Sequence, residues 1–97
     1  MNYQLIVRQT AEQQAREAYW WYEEKLEGLG DEFLLSLDAC INLIERNPNL
    51  FQKKYKNVRM GMIQRFPYGV YYIINENSII VLAILHFGRS TKTVSKI

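Results

Sequence analysis

The chain has one cysteine and one histidine among its 97 residues, and these shortages exclude several classes of protein. Cys40 alone cannot form an internal disulfide, although 97 residues suffice to bury one core without such a staple. No metal-ligand spacing, phosphate-binding glycine loop or nucleophile elbow is present. No apolar run approaches the roughly 18 residues of a membrane span, and the start lacks signal-peptide character. We therefore expect a single cytoplasmic domain over residues 1–97, outside the membrane, with no metal and no cofactor.

Charge is abundant but unevenly distributed along the chain. Residues 1–50 hold nine acidic and four basic side chains, whereas residues 51–97 hold one acidic and eight basic side chains. A basic half of this kind indicates a polyanionic partner, which is either nucleic acid or an acidic protein segment.

The first half predicts a strand followed by two helices. Residues 3–8 alternate as a short strand, and apolar residues then recur every three or four positions from Ala11 to Leu26, with Thr10 at the N-cap position. Gly28 and Gly30 end this helix, and a second apolar stripe continues to about Glu45 before Asn47 and Pro48. So short a turn predicts an antiparallel helical hairpin.

The second half predicts three strands in a meander. A polar loop over residues 49–57 precedes a strand over residues 58–66, which would place Arg59 and Arg65 on one face. A turn at residues 67–69 leads to a strand over residues 70–74, and a second turn leads to residues 79–89. This last strand is apolar on both faces, so we expect it to be central, with the first strand beside it. The class is α+β, in the order β-α-α-β-β-β, with a mainly antiparallel sheet and the hairpin packed on one face.

The residues that could carry chemistry are nearly all cationic. They suit RNA cleavage, in which a base takes the 2′-hydroxyl proton, cations stabilise the phosphorane and an acid protonates the leaving oxygen. His86 is the natural titrating group. Structural roles are the more frequent ones for the histidine, as a hydrogen-bonded residue, and for the lysines, as a solvated loop. The two strand arginines divide evenly between salt bridges and ligand contacts. The set comprises Lys53, Lys54, Lys56, Arg59, Arg65, His86, Arg89 and Lys92.

Four consecutive aromatic residues, 19–22, stand in the first predicted helix. They point nearly all the way round a helix, so some should stay exposed unless a partner covers them. Base stacking is one use for such rings, and core and interface packing is the more frequent one. Trp20 and Trp21 are therefore candidate partner-binding residues.

Several of these segments together resemble the RelE/ParE superfamily of toxins from bacterial type II toxin-antitoxin systems. The resemblance covers nearly the whole chain and is carried by the helix end at residues 46–48, the run from Arg65 to Tyr72, and the closing residues 81–86 with Arg89. It implies a cognate antitoxin, acidic and partly disordered when free, that wraps the basic face as it folds. Lys53, Lys54, Lys56 and Lys92 would contact that antitoxin or nucleic acid. A homodimer, or a heterotetramer with the antitoxin, is the implied assembly.

The superfamily has two branches with different targets. RelE-like members are implied to be ribosome-dependent mRNA endonucleases, and here Arg59 or Arg65, with His86 and Arg89, match their metal-independent site loosely. ParE-like members are implied to poison DNA gyrase. Phe87 stands where some nuclease members carry a catalytic tyrosine, and the acidic hairpin is closer to the ParE-like pattern. We therefore expect a gyrase-poisoning toxin, with an mRNA interferase as the alternative and an inactive or binding-only relic as a second alternative.

Overall fold

The computed structural model describes residues 3–89, which form two helices packed on one face of a five-stranded sheet. This arrangement confirms the α+β class predicted from the sequence. The elements in chain order are β1 (Gln4–Val7), α1 (Gln9–Lys25), α2 (Leu29–Arg46), β2 (Lys53–Tyr55), β3 (Val58–Met62), β4 (Tyr68–Asn75), β5 (Ser78–His86) and a 3₁₀ helix (Phe87–Arg89).

The sheet has the strand order β1-β5-β4-β3-β2, so β5 is flanked on both sides as predicted. β1 runs parallel to β5, and the other neighbours are antiparallel. Apolar residues of β5 are buried on both faces: Ile79 and Val81 belong to the core beneath the helices, whereas Leu82 and Ala83 belong to a second apolar cluster. A strand with neighbours on both edges and apolar residues on both faces is typical of the interior of a sheet.

A β-bulge in β5 decides which side chains face the helices. Tyr71 pairs with Ala83 and Tyr72 pairs with Val81, so Leu82 is an extra residue without its own partner on β4. Side chains normally alternate between the two faces of a strand, and one extra residue reverses that alternation from there on. The bulge therefore returns Ile84 to the helix-covered core that Val81 also joins.

Four aromatic rings join the helices to the sheet. Tyr22 of α1 lies 5.5 Å from Phe33 of α2 and 4.9 Å from Phe66 between ring centroids. Phe33 in turn lies 5.1 Å from Tyr68 at the start of β4. All four side chains are buried, and stacked or edge-to-face pairs of this kind contribute about 0.5–1.5 kcal/mol each beyond the burial of their area. The aromatic cluster thus holds both helices against one end of the sheet.

The turn between the helices is closed by a carboxylate of α1. Gly28 has φ +89°, in the left-handed region that glycine adopts without strain, and a Cβ on Gly30 would come within 2.7 Å of the carbonyl oxygen of Tyr19. The Glu23 carboxylate accepts a hydrogen bond from the backbone N–H of Gly28 at 2.9 Å and from that of Gly30 at 3.0 Å. It therefore satisfies donors at the first turn of α2, where negative charge also complements the helix dipole.

The predicted N-terminus of the first helix was wrong. The structure places the N-cap at Arg8, which makes no side-chain capping bond, and Thr10 lies within α1. The backbone of Arg8 is extended, and its carbonyl accepts the N–H of Glu12 at 3.0 Å, so Arg8 alone separates the end of β1 from the start of α1.

The boundaries in the second half also differ from those predicted. The loop over residues 49–57 contains β2, a three-residue edge strand paired with β3. The next strand ends at Met62, because the backbone closes a turn in which the Ile63 N–H donates to the Tyr68 carbonyl at 3.0 Å. Arg65 lies in that turn and does not share a strand face with Arg59. The last strand ends at His86 and a 3₁₀ helix follows.

Glu23→Gln is expected to lower the free energy of unfolding by about 1–2 kcal/mol, because one carboxylate oxygen that accepts a backbone N–H is replaced by an amide donor. Urea unfolding followed by circular dichroism measures the loss. Glu24→Gln, one residue along α1 and exposed, is the matched control and should change stability little. Equal losses in the two variants would contradict the capping role of Glu23.

Candidate functional site

His86 stands at the end of β5, where its ring packs against an aromatic residue of β4. Its ring centroid lies 5.2 Å from that of Tyr68, with the two planes nearly perpendicular. The Nδ1 atom accepts a hydrogen bond from the backbone N–H of Gly88 at 2.9 Å. A neutral imidazole whose Nδ1 is an acceptor carries its proton on Nε2. Both the ring orientation and the tautomer of His86 are therefore set by its neighbours.

A cavity of about 310 Å³ opens beside His86, between α1 and the end of β5. The side-chain Oε1 of Gln14 accepts the backbone N–H of Ile84 at 2.8 Å, which fastens α1 to the edge of β5 beyond the last residue of β1. The first cavity, as we name it, is lined by Gln14, Glu17, Ala18, Trp21, Tyr68, Ile84, Leu85 and His86.

Arg59 is engaged with the segment that connects α2 to β2. Its guanidinium donates to the carbonyl of Phe51 at 2.6 Å and to the side-chain oxygen of Asn49 at 3.3 Å. Nearby, the hydroxyl of Tyr72 donates to the carbonyl of Pro48 at 2.6 Å. Burial raises the pKa of Tyr72 to about 12, with Arg59 opposing the shift and Cys40 adding to it. These contacts give Arg59 a structural role in holding the connecting segment.

Arg65 extends from the turn between β3 and β4 toward the start of α2. Its backbone φ is +73°, in the left-handed region that residues other than glycine rarely adopt. Its guanidinium forms an ion pair with the Glu32 carboxylate at 2.5 Å, and both side chains are substantially exposed. Exposed ion pairs contribute about 0–1 kcal/mol, so this contact orients Arg65 more than it stabilises the fold.

The structure separates Arg59 from the other predicted catalytic residues. Arg59 pairs with Tyr72, whereas His86 pairs with Tyr68, so the two lie about 13 Å apart along the strands and about 10 Å apart across them. Arg65 lies at the same end of the sheet as His86, but its guanidinium is directed to Glu32. Arg89 belongs to the 3₁₀ helix that follows His86. Lys92 lies outside the described residues.

The three lysines form what we call the basic edge, which comprises Lys53, Lys54 and Lys56. Lys53 and Lys54 lie on β2 at the margin of the sheet, and Lys56 lies in the tight turn to β3 with φ +51°. All three are exposed, and the Lys56 ammonium lies 5.3 Å from the centroid of the Tyr55 ring. Lysine on an edge strand discourages pairing with another chain, and it also attracts anionic partners.

Trp20 and Trp21 stand on the outer surface of α1, as the aromatic run predicted. Their exposed fractions are 60% and 48%, which is high for residues of this size. The Lys25 ammonium lies 4.7 Å from the centroid of the Trp21 ring. A second cavity, of about 430 Å³, lies against these rings and is lined by Gln13, Arg16, Glu17, Trp20, Trp21 and Glu24.

The sequence did not predict that acidic and amide side chains of α1 line the cavities. Gln14 and Glu17 gave no sign of being near His86, because about 70 residues separate them along the chain. The available signal was local: Glu17 precedes Trp21 by one helical turn, so both share a face of α1. Among residues 3–89, no cluster of three or more histidine, cysteine and acidic residues could hold a metal ion. No helix in that range is long and apolar enough to cross a membrane.

Comparison with known proteins adds a family and a fold. The family model of the ParE toxin of type II toxin-antitoxin system, parDE, matches residues 5–90. A chain of the chromosomal ParDE system from P. aeruginosa superposes with a TM-score of 0.76 at 14% identity, covering 87% of this chain and 95% of that one. A copper-bound mutant toxin from Helicobacter pylori gives a TM-score of 0.54 at 16% identity, covering 91% and 97%. At these identities the two structures show a shared fold. No curated protein matches significantly.

The Arg65→Gly variant is expected to have a free energy of unfolding about 1 kcal/mol higher than that of the Arg65→Ala variant. Both variants lose the ion pair, but only glycine removes the strain of the left-handed backbone conformation. Urea unfolding of the two variants measures the difference. Arg16, exposed within α1, provides the matched control, because there alanine should be the more stable by about 1 kcal/mol. The same order of stability at both positions would contradict the backbone assignment.

Tyr72 should make the protein lose stability at alkaline pH. Its folded pKa of about 12 exceeds the ordinary value of 10.0, so the unfolded chain releases this proton first. The free energy of unfolding should therefore fall as pH rises from 10 and level off near 12. Urea unfolding across this range should show a shallower fall for Tyr72→Phe.

Cys40 adds a decline of the same sign, because burial raises the pKa of its thiol from 9.0 to about 11. The comparison is therefore made with Cys40→Ala in both proteins, one with Tyr72 and one with Tyr72→Phe. Parallel curves from pH 10 to pH 12 in these two proteins would contradict the assignment to Tyr72.

Proposed function

Because the chain belongs to the ParE toxin family of type II toxin-antitoxin systems, we propose that it arrests growth by binding and poisoning DNA gyrase through protein contact. Poisoning of this kind requires no catalytic step by the toxin, so the activity of the protein depends on a binding surface. A cognate antitoxin neutralises the toxin, and gyrase places the site of action in the cytoplasm.

The exposed tryptophan pair of α1 is the observation that carries this proposal. Trp20 and Trp21 face away from the core, whereas Ala18 and Tyr22 on the same helix are buried against it. Tryptophan is among the residues that contribute most to protein interfaces when a partner desolvates it. Two adjacent exposed rings on a rigid helix are therefore a suitable anchor for a protein target.

The basic edge supports the antitoxin as the second partner. Lys53, Lys54 and Lys56 are exposed at the margin of the sheet. An acidic, partly disordered segment would gain charge contacts there as it orders, and such contacts weaken as salt rises. A homodimer, or a heterotetramer with the antitoxin, is the assembly that we propose for the neutralised state.

Purified protein in molar excess should inhibit negative supercoiling by DNA gyrase and accumulate cleavage complexes. The double variant Trp20→Ala and Trp21→Ala should require about tenfold or more protein for the same inhibition, because anchor residues carry most of the binding energy. Leu35→Ala, which removes an exposed apolar side chain of α2, is the control and should inhibit like the parent. Unchanged supercoiling at excess parent protein would end the gyrase proposal.

An mRNA endonuclease is the second candidate, and the placement of His86 favours it. The imidazole has a defined tautomer and lines the first cavity together with Glu17 and Tyr68. A histidine near an acid in an open cavity is a candidate general acid or base. Primer extension on translated messages after induction would then show codon-phased cuts that disappear in His86→Ala, and an uncut message pool would exclude this function.

A further inference from the structure

The two cavities against α1 share a wall made of Glu17 and Trp21. These residues lie four positions apart on the helix, so the carboxylate and the indole are neighbours on one face. The first cavity extends from this wall toward His86, and the second extends toward Trp20 and Glu24. An acidic group and a large ring therefore stand between two openings on the surface of the chain.

The indole ring of Trp21 already has a cation beside it. The Lys25 ammonium lies 4.7 Å from the ring centroid, within the range in which the electron-rich face of an indole attracts positive charge. Both Trp21 and Lys25 are exposed, so a cation from outside can reach the ring, where it competes with Lys25.

The second cavity places hydrogen-bond acceptors beside the ring. Glu17 and Glu24 contribute two carboxylates, whose charge is balanced by the guanidinium of Arg16 and by the Lys25 ammonium at Trp21. The Glu17 carboxylate accepts a long hydrogen bond of 3.4 Å from the side-chain amide of Gln13. A carboxylate offers about four acceptor positions, so Glu17 retains the capacity to bind a further donor.

We propose that this shared wall binds an arginine side chain on an exposed segment of the target protein. The guanidinium would stack on Trp21 and donate to the Glu17 carboxylate, which combines a cation–π contact with a charge-assisted hydrogen bond. A planar guanidinium matches both contacts better than an ammonium does. An acidic antitoxin segment or a nucleic acid backbone would bring further acceptors to the Glu17 and Glu24 carboxylates, which need donors, so both are poorer occupants.

The inference rests on the proposed function only in naming the target as the source of the arginine. Binding of an isolated peptide is measured without gyrase, so a failure of the wall to bind is distinguishable from a failure to inhibit gyrase. The probe is the peptide acetyl-Gly-Arg-Gly-amide, and the matched control carries citrulline, which keeps the shape of arginine and removes its charge.

The experiment follows tryptophan emission in Trp20→Phe, where Trp21 is the remaining tryptophan of the chain. The arginine peptide should produce a saturable change, with a dissociation constant in the millimolar range that is ordinary for one side chain. The citrulline peptide should bind about fivefold more weakly, in keeping with the loss of a cation–π contact.

Variants then separate the wall from the rest of α1. Glu17→Gln in the same background should weaken the arginine peptide about fivefold, whereas Glu12→Gln, on the same helix but outside both cavities, should not. Equal binding of the two peptides, no weakening by Glu17→Gln, or no saturation at tens of millimolar peptide would each overturn the proposal.

Discussion

The contact on which the rest of the structure depends is the aromatic cluster of Tyr22, Phe33, Phe66 and Tyr68. It brings together α1, α2 and the turn between β3 and β4. Because Tyr22 is directed into this cluster, the residues just before it on α1 must point elsewhere, and Trp20 and Trp21 are exposed for that reason. Tyr68 contacts the cluster on one side and His86 on the other, so the position of the histidine also depends on it.

Charge is separated across the molecule in a way that suits two different partners. The helices carry most of the carboxylates, whereas the basic edge lies on β2, at the margin of the sheet opposite β1. An acidic segment is attracted to the basic edge and repelled from α1, and a basic segment has the reverse preference. Under the proposed function the antitoxin and the target would then meet different surfaces of the same toxin.

The sequence predicted the elements whose signal is local. The helical hairpin is predicted by apolar residues that recur every three or four positions and by the glycines between the two helices. The central position of β5 follows from its two apolar faces. β2 was missed because its three residues adopt the strand conformation through pairing with β3. A lysine-rich stretch has no pattern from which that pairing could be predicted. The turn at Arg65 was missed because the alternation of apolar residues continues through it, although the backbone leaves the strand at Met62.

The candidate site was predictable in part for a similar reason. The position of His86 at a strand end and the exposure of the tryptophans could be predicted from short stretches of sequence. Arg59 and Arg65 looked alike in the strand pattern, yet one holds the segment before β2 and the other pairs with Glu32. The presence of Glu17 and His86 in the lining of one cavity is a tertiary fact, since it depends on how α1 crosses the end of β5.

The bulge at Leu82 gives β5 one residue more than its pairing with β4 requires. Loss of one residue between Val81 and Ile84 would remove the bulge and leave a regularly alternating strand, in which Ile84 still faces the helix-covered core and His86 still lines the first cavity. An apolar exchange of similar size would also leave the phase of the strand unchanged. This strand can therefore drift in residue type and can shorten by one residue at the bulge without exchanging its two faces.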